Sequence, residues 1–117
     1  PLTLAAYLVE GGGSSDFRNF KTLLYTRPDL AEALLDKLAR QVVRHLTMQV
    51  EAGCAAVQIF DSWASILHPT DYRRFSLPAI KTIVINTPNG NNKTWRFMIL
   101  PRGFLVENRL GDRRVKL

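Results

Sequence analysis

Residues 51–64 read EAGCAAVQIFDSWA, and this stretch decides the fold class. Its middle, residues 55–60, is short and mostly apolar, without the alternation of a half-buried strand. Gly53 separates it from a long helical pattern, and Asp61 and Ser62 follow it. An apolar run after a helix and a glycine stop is typical of a strand buried on both faces of a parallel sheet. The sequence therefore predicts an α/β fold that is mostly helical, with a buried parallel strand near 55–60.

The pattern before this strand is helical. Pro28 suits a first helical position, where its missing N–H is not needed. Gly53 suits the position that follows a helix. These signals predict one helix of about 24 residues with a buried face. The residues that recur every four positions are Leu30, Leu34, Leu38, Val42, Leu46 and Val50.

Shorter helices are expected on both sides. Residues 2–9 are apolar and are expected to form a helix that ends at Glu10, before three glycines that stop a regular element. Ser15 or Asp16 is then expected to cap a short helix that ends before Pro28. After the strand, Pro69 and Pro78 are each expected to start a helical stretch.

The bulk composition narrows the class of protein. The chain has 117 residues, of which 46% are apolar, as in an ordinary globular domain. Its single cysteine, Cys54, cannot form an internal disulfide and is too little for a zinc or iron–sulfur cage. His45 and His68 have no second ligand at helical spacing, so we predict no metal site. The longest apolar runs fall far below the ~20 residues of a membrane span, so no membrane partner is expected.

Residues 85–117 differ from the rest in charge. Residues 1–84 carry nine Lys or Arg against eight Asp or Glu, whereas residues 85–117 carry seven against two. We interpret residues 85–117 as an irregular basic tail. Within it, Asn89-Gly90 is a candidate hairpin turn and residues 95–100 are a candidate strand. The basic residues leave a nucleic-acid-binding module as an alternative, but basic charge alone is weak evidence and nucleic acid is not an expected partner.

Polar side chains at the end of the predicted strand are the candidates for chemistry. Ligands of parallel α/β folds bind at the carboxyl ends of the strands, where Asp61 and Ser62 would lie. The alternative is that one of them caps the following turn, and the residues alone favour neither reading. Ser62 lacks the Gly-x-Ser-x-Gly context of a nucleophile elbow. Two interpretations of Tyr7 remain: it is a core residue, or its ring is buried and its hydroxyl reaches a partner at the edge of the core.

Several stretches together resemble one enzyme family. Residues 2–14 (LTLAAYLVEGGGS) are similar to the region around the active-site tyrosine of uroporphyrinogen decarboxylases. Residues 51–64 resemble the strand that delivers the family's active-site serine, and residues 24–28 and 72–78 also fit. The separation of 55 residues between Tyr7 and Ser62 fits as well. The resemblance covers about residues 1–84, so we divide the chain into a partial decarboxylase domain, 1–84, and the tail.

The resemblance implies a fold, a reaction and partners. The fold is a (β/α)8 barrel, here present as a fragment. The reaction converts uroporphyrinogen III to coproporphyrinogen III in haem biosynthesis by removing four acetate carboxylates, without metal or organic cofactor. The implied partners are the anionic tetrapyrrole and, in the intact family, a second copy in a homodimer. The implied location is the cytoplasm, or a plastid in a photosynthetic eukaryote. If the roles of the family's active-site tyrosine and serine apply here, Tyr7 and Ser62 bind substrate side chains or neighbouring active-site groups.

Departures from the family pattern limit what this chain is expected to do. The family's substrate-binding arginines, central aspartate and late histidine have no counterpart here, so no catalytic residue is assigned. A complete barrel needs about 250 residues, so we expect an incomplete piece that is inactive alone. The alternatives are a non-catalytic remnant and a corrinoid methyltransferase, which needs Cys/His zinc ligands. For the tail we expect an origin in a shifted reading frame, a mispredicted exon or a fusion.

Overall fold

Three helices form the amino-terminal part of the fold. The structure, a computed structural model, describes residues 1–54 and 57–88 and the backbone of residues 95–100 and 104–108. Its first helices are α1 (Leu2–Glu10), α2 (Arg18–Thr26) and α3 (Pro28–Glu51). The sequence prediction is confirmed for α1, which ends at Glu10, and for α3, which has 24 residues.

The end of α3 follows the sequence closely. Gly53 has a φ of 94°, a conformation that costs glycine nothing because it has no Cβ. Its N–H donates to the carbonyl of Val50 at 3.0 Å, and the N–H of Cys54 donates to the carbonyl of Gln49 at 3.1 Å. These two bonds form a Schellman motif, so the predicted glycine stop is confirmed.

The start of α2 differs from the prediction. Neither Ser15 nor Asp16 makes a capping hydrogen bond to α2. The carboxylate of Glu10, at the end of α1, accepts from the backbone N–H of Phe20 at 2.9 Å and from the side-chain amide of Asn19 at 3.1 Å. An anion is favourable at a helix N-terminus, and the turn through the glycines brings this one from the preceding helix. A prediction based only on the residues next to the start of α2 could not identify Glu10 as its cap.

Short helical segments follow the first strand. β1 (Ile59–Phe60) leads into a 3-10 turn (Ser62–Ile66), and α4 (Pro69–Asp71) begins at a proline as predicted. A π-helical turn (Tyr72–Ser76) then joins α4 directly to α5 (Leu77–Asn86).

The second helical stretch begins earlier than predicted. Pro78 lies one residue inside α5 rather than at a new start. Its ring nitrogen has no proton to donate to the preceding turn. The N–H of Leu77 instead reaches back to the carbonyl of Tyr72, which widens the helix into the π-turn.

The strands form a three-stranded sheet with the order β1-β2-β3. β1 pairs in parallel with β2 (Trp95–Leu100), with Ile59 opposite Ile99. β2 pairs antiparallel with β3 (Phe104–Asn108). The segments α4 and α5 connect the parallel strands, so the described residues contain a βαβ unit, as the predicted α/β class requires. They do not contain a closed barrel.

The tail is not irregular where the structure describes it. Residues 95–100 are the predicted strand, and residues 104–108 are a strand that the sequence analysis missed. Both runs are rich in apolar residues that favour strands. The pairing of β2 with β1, and of β3 with β2, satisfies backbone groups that would otherwise lie at a sheet edge. The predicted turn at Asn89-Gly90 lies outside the described residues.

β1 is not buried on both faces as predicted. Val57 and Ile59 are 4% and 6% exposed, whereas Phe60 is 60% exposed and Gln58 is exposed as well. The core lies against one face only, because the described residues leave Phe60 largely uncovered. Ala55 and Ala56, which the prediction included, lie outside the described residues.

The helices enclose one hydrophobic core with β1. Its fully buried members come from α1, α2, α3, α5 and the loop before α2, and the largest are Leu2, Phe17, Phe20, Leu24, Leu35, Ile80 and Ile83. Within the ranges that the structure describes, no helix is long and apolar enough to cross a membrane.

Candidate functional site

Asp61, directly after β1, is a buried anchor. Its side chain is fully buried, and Oδ1 accepts from the backbone N–H and the hydroxyl of Thr3 at 2.8 and 2.9 Å. Oδ2 accepts from the hydroxyl of Ser76 at 3.2 Å, and the nitrogen of Pro1 lies 3.6 Å from Oδ1. A buried carboxylate is tolerated only with such partners. Asp61 therefore ties α1 and the π-turn to the end of the strand, and it neither faces an open site nor caps the turn that follows it.

Tyr72 borders this buried anchor. Its hydroxyl is buried and has no hydrogen-bond partner among the described residues. Burial and, to a smaller extent, the negative charge of Asp61 raise the pKa of Tyr72. The phenol is therefore neutral at physiological pH, and its hydroxyl is a destabilising feature of the interior.

Two side chains of α1 fasten it to the loop after the strand. The hydroxyl of Thr3 accepts from the backbone N–H of Trp63 at 3.2 Å, while it donates to Asp61. The hydroxyl oxygen of Tyr7 accepts from Nε1–H of Trp63 at 2.9 Å. Thr3 and Tyr7 are four residues apart and lie on one face of the helix, so both reach the same loop. We call Thr3, Asp61, Trp63 and Tyr7 the α1 clamp.

Three aromatic rings pack around the outer end of the clamp. The centroid of Phe17 lies 4.8 Å from that of Trp63 and 6.2 Å from that of Tyr7, the latter in an edge-to-face arrangement. Phe17 is fully buried, and its φ of 52° is unusual for a residue with a side chain. Its N–H donates to the hydroxyl of Ser14 at 3.0 Å. Packing and this bond hold a backbone conformation that costs about 1 kcal/mol or more.

The helix that carries Tyr7 packs against the 3-10 turn that begins at Ser62. Tyr7 is 41% exposed, and its hydroxyl contacts the residue that follows Ser62 in the chain. Ser62 is exposed at the start of the 3-10 turn, and its hydroxyl makes no hydrogen bond within the described residues. Both carry an O–H that can donate to a ligand at the carboxyl end of β1. The arrangement suits the binding of an acceptor such as a carboxylate, and it offers no acid–base pair.

The sequence analysis missed the residues that fasten Tyr7 to the loop after β1. Thr3, Phe17 and Trp63 were not candidate site residues, and they contact their partners across long stretches of chain. One signal was present, because the spacing of Thr3 and Tyr7 places a hydroxyl and a phenol on one helical face. Nothing local to Trp63 indicated which residue its indole would contact.

The remaining candidates play structural parts. The ring of His45 lies 3.0 Å from the side-chain amide of Gln49 on the exposed side of α3, and His68 caps α4 by accepting from the N–H of Thr70 at 3.4 Å. In the described ranges, no three His, Cys, Asp or Glu residues are grouped so that they could hold a metal ion. The side chains of the basic tail lie outside the described residues, so the nucleic-acid alternative stays a prediction.

The fold and the site define a segment of an α/β protein in which exposed hydroxyl side chains lie at the carboxyl end of a parallel strand, the position where such folds bind ligands. The family model for uroporphyrinogen decarboxylase (URO-D) matches residues 1–100, and the chain belongs to this family. The resemblance found in the sequence is thereby confirmed.

Curated relatives show the same likeness over part of their length. Uroporphyrinogen decarboxylase of Neisseria meningitidis is 50% identical over 84 residues, which are 72% of this chain and 24% of the relative. That of Paraburkholderia phytofirmans is 54% identical over 84 residues, 72% of this chain and 23% of the relative. That of Geobacter sulfurreducens is 41% identical over 107 residues, 92% of this chain and 31% of the relative. The chain thus spans about a quarter of the length of the relatives it matches.

The similarity continues into the tail. The family match runs past Val84 to residue 100, and the Geobacter sulfurreducens match covers 107 residues. Residues 95–100 are also the strand that pairs in parallel with β1. An unrelated origin therefore does not fit residues 85–100.

Proposed function

We propose that this chain is part of an enzyme that decarboxylates the four acetate side chains of uroporphyrinogen III to give coproporphyrinogen III, and that Tyr7 and Ser62 bind the substrate. The family match and the relatives support the reaction. The observation that carries the site is the hydrogen bond between Trp63 and Tyr7, which holds the phenol beside the loop of Ser62.

The chemistry of this substrate suits neutral hydroxyl donors. Protonation of a pyrrole carbon turns the ring into an electron acceptor, and the acetate C–C bond then breaks with loss of CO2. A proton adds to the resulting methylene carbon to give the methyl group, and the ring carbon loses its proton to restore the pyrrole. The protein has to orient a polyanion and stabilise a cationic ring, which are tasks of positioning and preorganised charge. Tyr7 and Ser62 would donate to carboxylate oxygens, and no residue of this chain is assigned the proton transfers.

The larger assembly is part of the same proposal. The βαβ unit would supply neighbouring strands of a (β/α)8 barrel, with the exposed face of Phe60 turned toward other parts of that barrel. By family resemblance the intact protein is a homodimer of the cytoplasm, or of a plastid in a photosynthetic eukaryote. We expect no decarboxylation by the 117-residue chain alone, because its described residues form only a part of such a barrel.

The test is a full-length decarboxylase that carries this segment. Residues 1–84 replace the matching stretch of the Neisseria meningitidis relative, and anaerobic conversion of uroporphyrinogen III is measured. We expect an active chimera in which Tyr7→Phe and Ser62→Ala each lower kcat/KM by about tenfold, since each removes a hydrogen bond to a charged group.

Matched controls come from the same segment. Tyr25→Phe removes an exposed phenol that donates to Asp71, and Ser65→Ala removes an exposed hydroxyl from the 3-10 turn of Ser62. Both should leave kcat/KM within about twofold of the parent chimera. A folded but inactive chimera, or equal losses in the controls, would contradict the proposed function.

A further inference from the structure

The hydrogen bond between Trp63 and Tyr7 has a fixed direction. An indole nitrogen carries a proton and cannot accept, so Tyr7 Oη must be the acceptor in the 2.9 Å contact. The phenol proton therefore cannot be directed at Trp63. The proton is left for another partner, and the residue as a whole is 41% exposed.

The indole itself is held in place from three sides. The backbone N–H of Trp63 donates to the hydroxyl of Thr3, and that hydroxyl donates to the fully buried Asp61. The ring packs against Phe17 at 4.8 Å between centroids and against Tyr7 at 6.5 Å. The orientation of the indole N–H is thus fixed by the core, and the Tyr7 oxygen meets a preorganised donor.

We propose that Trp63 is a positioning residue that makes the Tyr7 hydroxyl a one-way donor to substrate carboxylates. This inference rests on the proposed function, and it assigns the selectivity of the site to a residue that does not itself bind the ligand. A phenol whose oxygen is already occupied by a donor accepts poorly from a ligand N–H or O–H. The site therefore favours acceptor-only groups, which ionised carboxylates are.

The first test is a double-mutant cycle in the full-length chimera. Trp63→Phe keeps an aromatic ring and removes the N–H, and we expect it to raise KM for uroporphyrinogen III by about fivefold. In a Tyr7→Phe background the same change should alter KM by less than about twofold, because Trp63 acts through the missing hydroxyl. If Trp63→Phe raised KM by the same factor with and without the Tyr7 hydroxyl, the inference would be overturned and Trp63 would have a packing role.

A shape-matched analogue separates the N–H from the ring. Replacing Trp63 by 3-benzothienylalanine substitutes sulfur for the indole N–H and preserves the fused ring. We expect the same rise in KM as for Trp63→Phe. Wild-type KM with this analogue would overturn the inference even if Trp63→Phe were to misfold.

The outcomes also separate this inference from the proposed function. If Tyr7→Phe lowers kcat/KM and Trp63→Phe does not, the substrate role of Tyr7 stands and the role of Trp63 is wrong. If Tyr7→Phe has no effect, the substrate role of Tyr7 and this inference both fail.

The hydrogen bond can also be tested in the 117-residue chain by NMR. The chain has two tryptophans, and the indole N–H signal of Trp63 is the one that disappears in Trp63→Phe. We expect Tyr7→Phe to move this signal upfield by several tenths of a p.p.m., because the indole loses its acceptor. An unchanged signal would overturn the inference independently of any enzyme assay.

Discussion

The helix α3 and the α1 clamp are built on opposite principles. α3 holds 24 residues in place by contacts between residues three or four apart, a proline at its start and a glycine just after its end. The clamp uses hydrogen bonds between residues 56 to 60 positions apart in the chain. Local periodicity specifies the first, whereas only the completed fold brings the partners of the second together. The candidate site depends on such long-range contacts. We therefore expect a few single substitutions in it to cause large losses of stability.

The largest effect is expected at Asp61, where the clamp meets the core. Asp61→Ala leaves the N–H and hydroxyl of Thr3 and the hydroxyl of Ser76 without their acceptor. We expect a loss of about 3–5 kcal/mol in the free energy of unfolding, measured by urea denaturation.

A surface aspartate provides the matched control for this loss. Asp29→Ala on α3 removes a carboxylate that pairs with Arg27 in solvent, and it should cost far less stability than Asp61→Ala because water screens the exposed pair. Similar losses at both positions would show that the clamp is no more critical than a surface ion pair.

Substitutions of Phe17 should have the next largest effect on stability, and here the glycine variant should be more stable than the alanine variant. Phe17→Ala removes a fully buried ring from the aromatic group and should cost about 3 kcal/mol in urea denaturation. Phe17→Gly should be more stable than Phe17→Ala by about 1 kcal/mol, because the φ of 52° strains alanine and not glycine.

Leu24, inside α2, is the control for this order. There Leu24→Gly should be less stable than Leu24→Ala by about 1 kcal/mol, as in any helix interior. If Phe17→Gly were also less stable than Phe17→Ala, Phe17 would not hold the left-handed conformation in solution.

On the side of α3, Gly53 should show a smaller and purely conformational effect. Gly53→Ala places a Cβ in open space, since no atom lies within 4 Å, but at a φ of 94°. We expect a cost of about 1–2 kcal/mol in the free energy of unfolding. Gly12→Ala, also in open space and without a positive φ, should change it by less than about 0.5 kcal/mol. Equal costs would argue against the Schellman motif.

The sequence predicted α1, α3 and the first residues of α4 because their signals are local. The cap of α2 was predicted wrongly because its carboxylate comes from Glu10 in the preceding helix. Burial of β1 was also predicted wrongly, because an apolar composition does not show which faces a given segment can cover. For the site, the family resemblance indicated Tyr7 and Ser62, whereas composition and spacing left both open. Trp63 became visible only in the structure, since nothing in its neighbourhood indicates a partner 56 residues away.

The smallest effect is expected at Tyr72, beside the anchor of the clamp. Its buried hydroxyl has no partner in the described part of the chain, so Tyr72→Phe should stabilise the fold by up to about 1 kcal/mol at pH 7. Burial and Asp61 raise the pKa of Tyr72 above that of the unfolded chain, so the fold tolerates the neutral phenol better than the phenolate. This contribution is complete below about pH 10 and is lost as the pH rises through the folded-state pKa, because the unfolded chain ionises first.

The control for Tyr72 is the exposed Tyr25. Tyr72→Phe should flatten the decline of stability above about pH 10, measured by urea denaturation at each pH. Tyr25→Phe should not stabilise the fold at pH 7, because the Tyr25 hydroxyl is exposed and already donates to Asp71 at 2.6 Å. A loss of stability in Tyr72→Phe at pH 7 would mean that this hydroxyl does have a partner in solution. The buried polar groups around Asp61 would then make a further hydrogen bond besides those of Thr3 and Ser76.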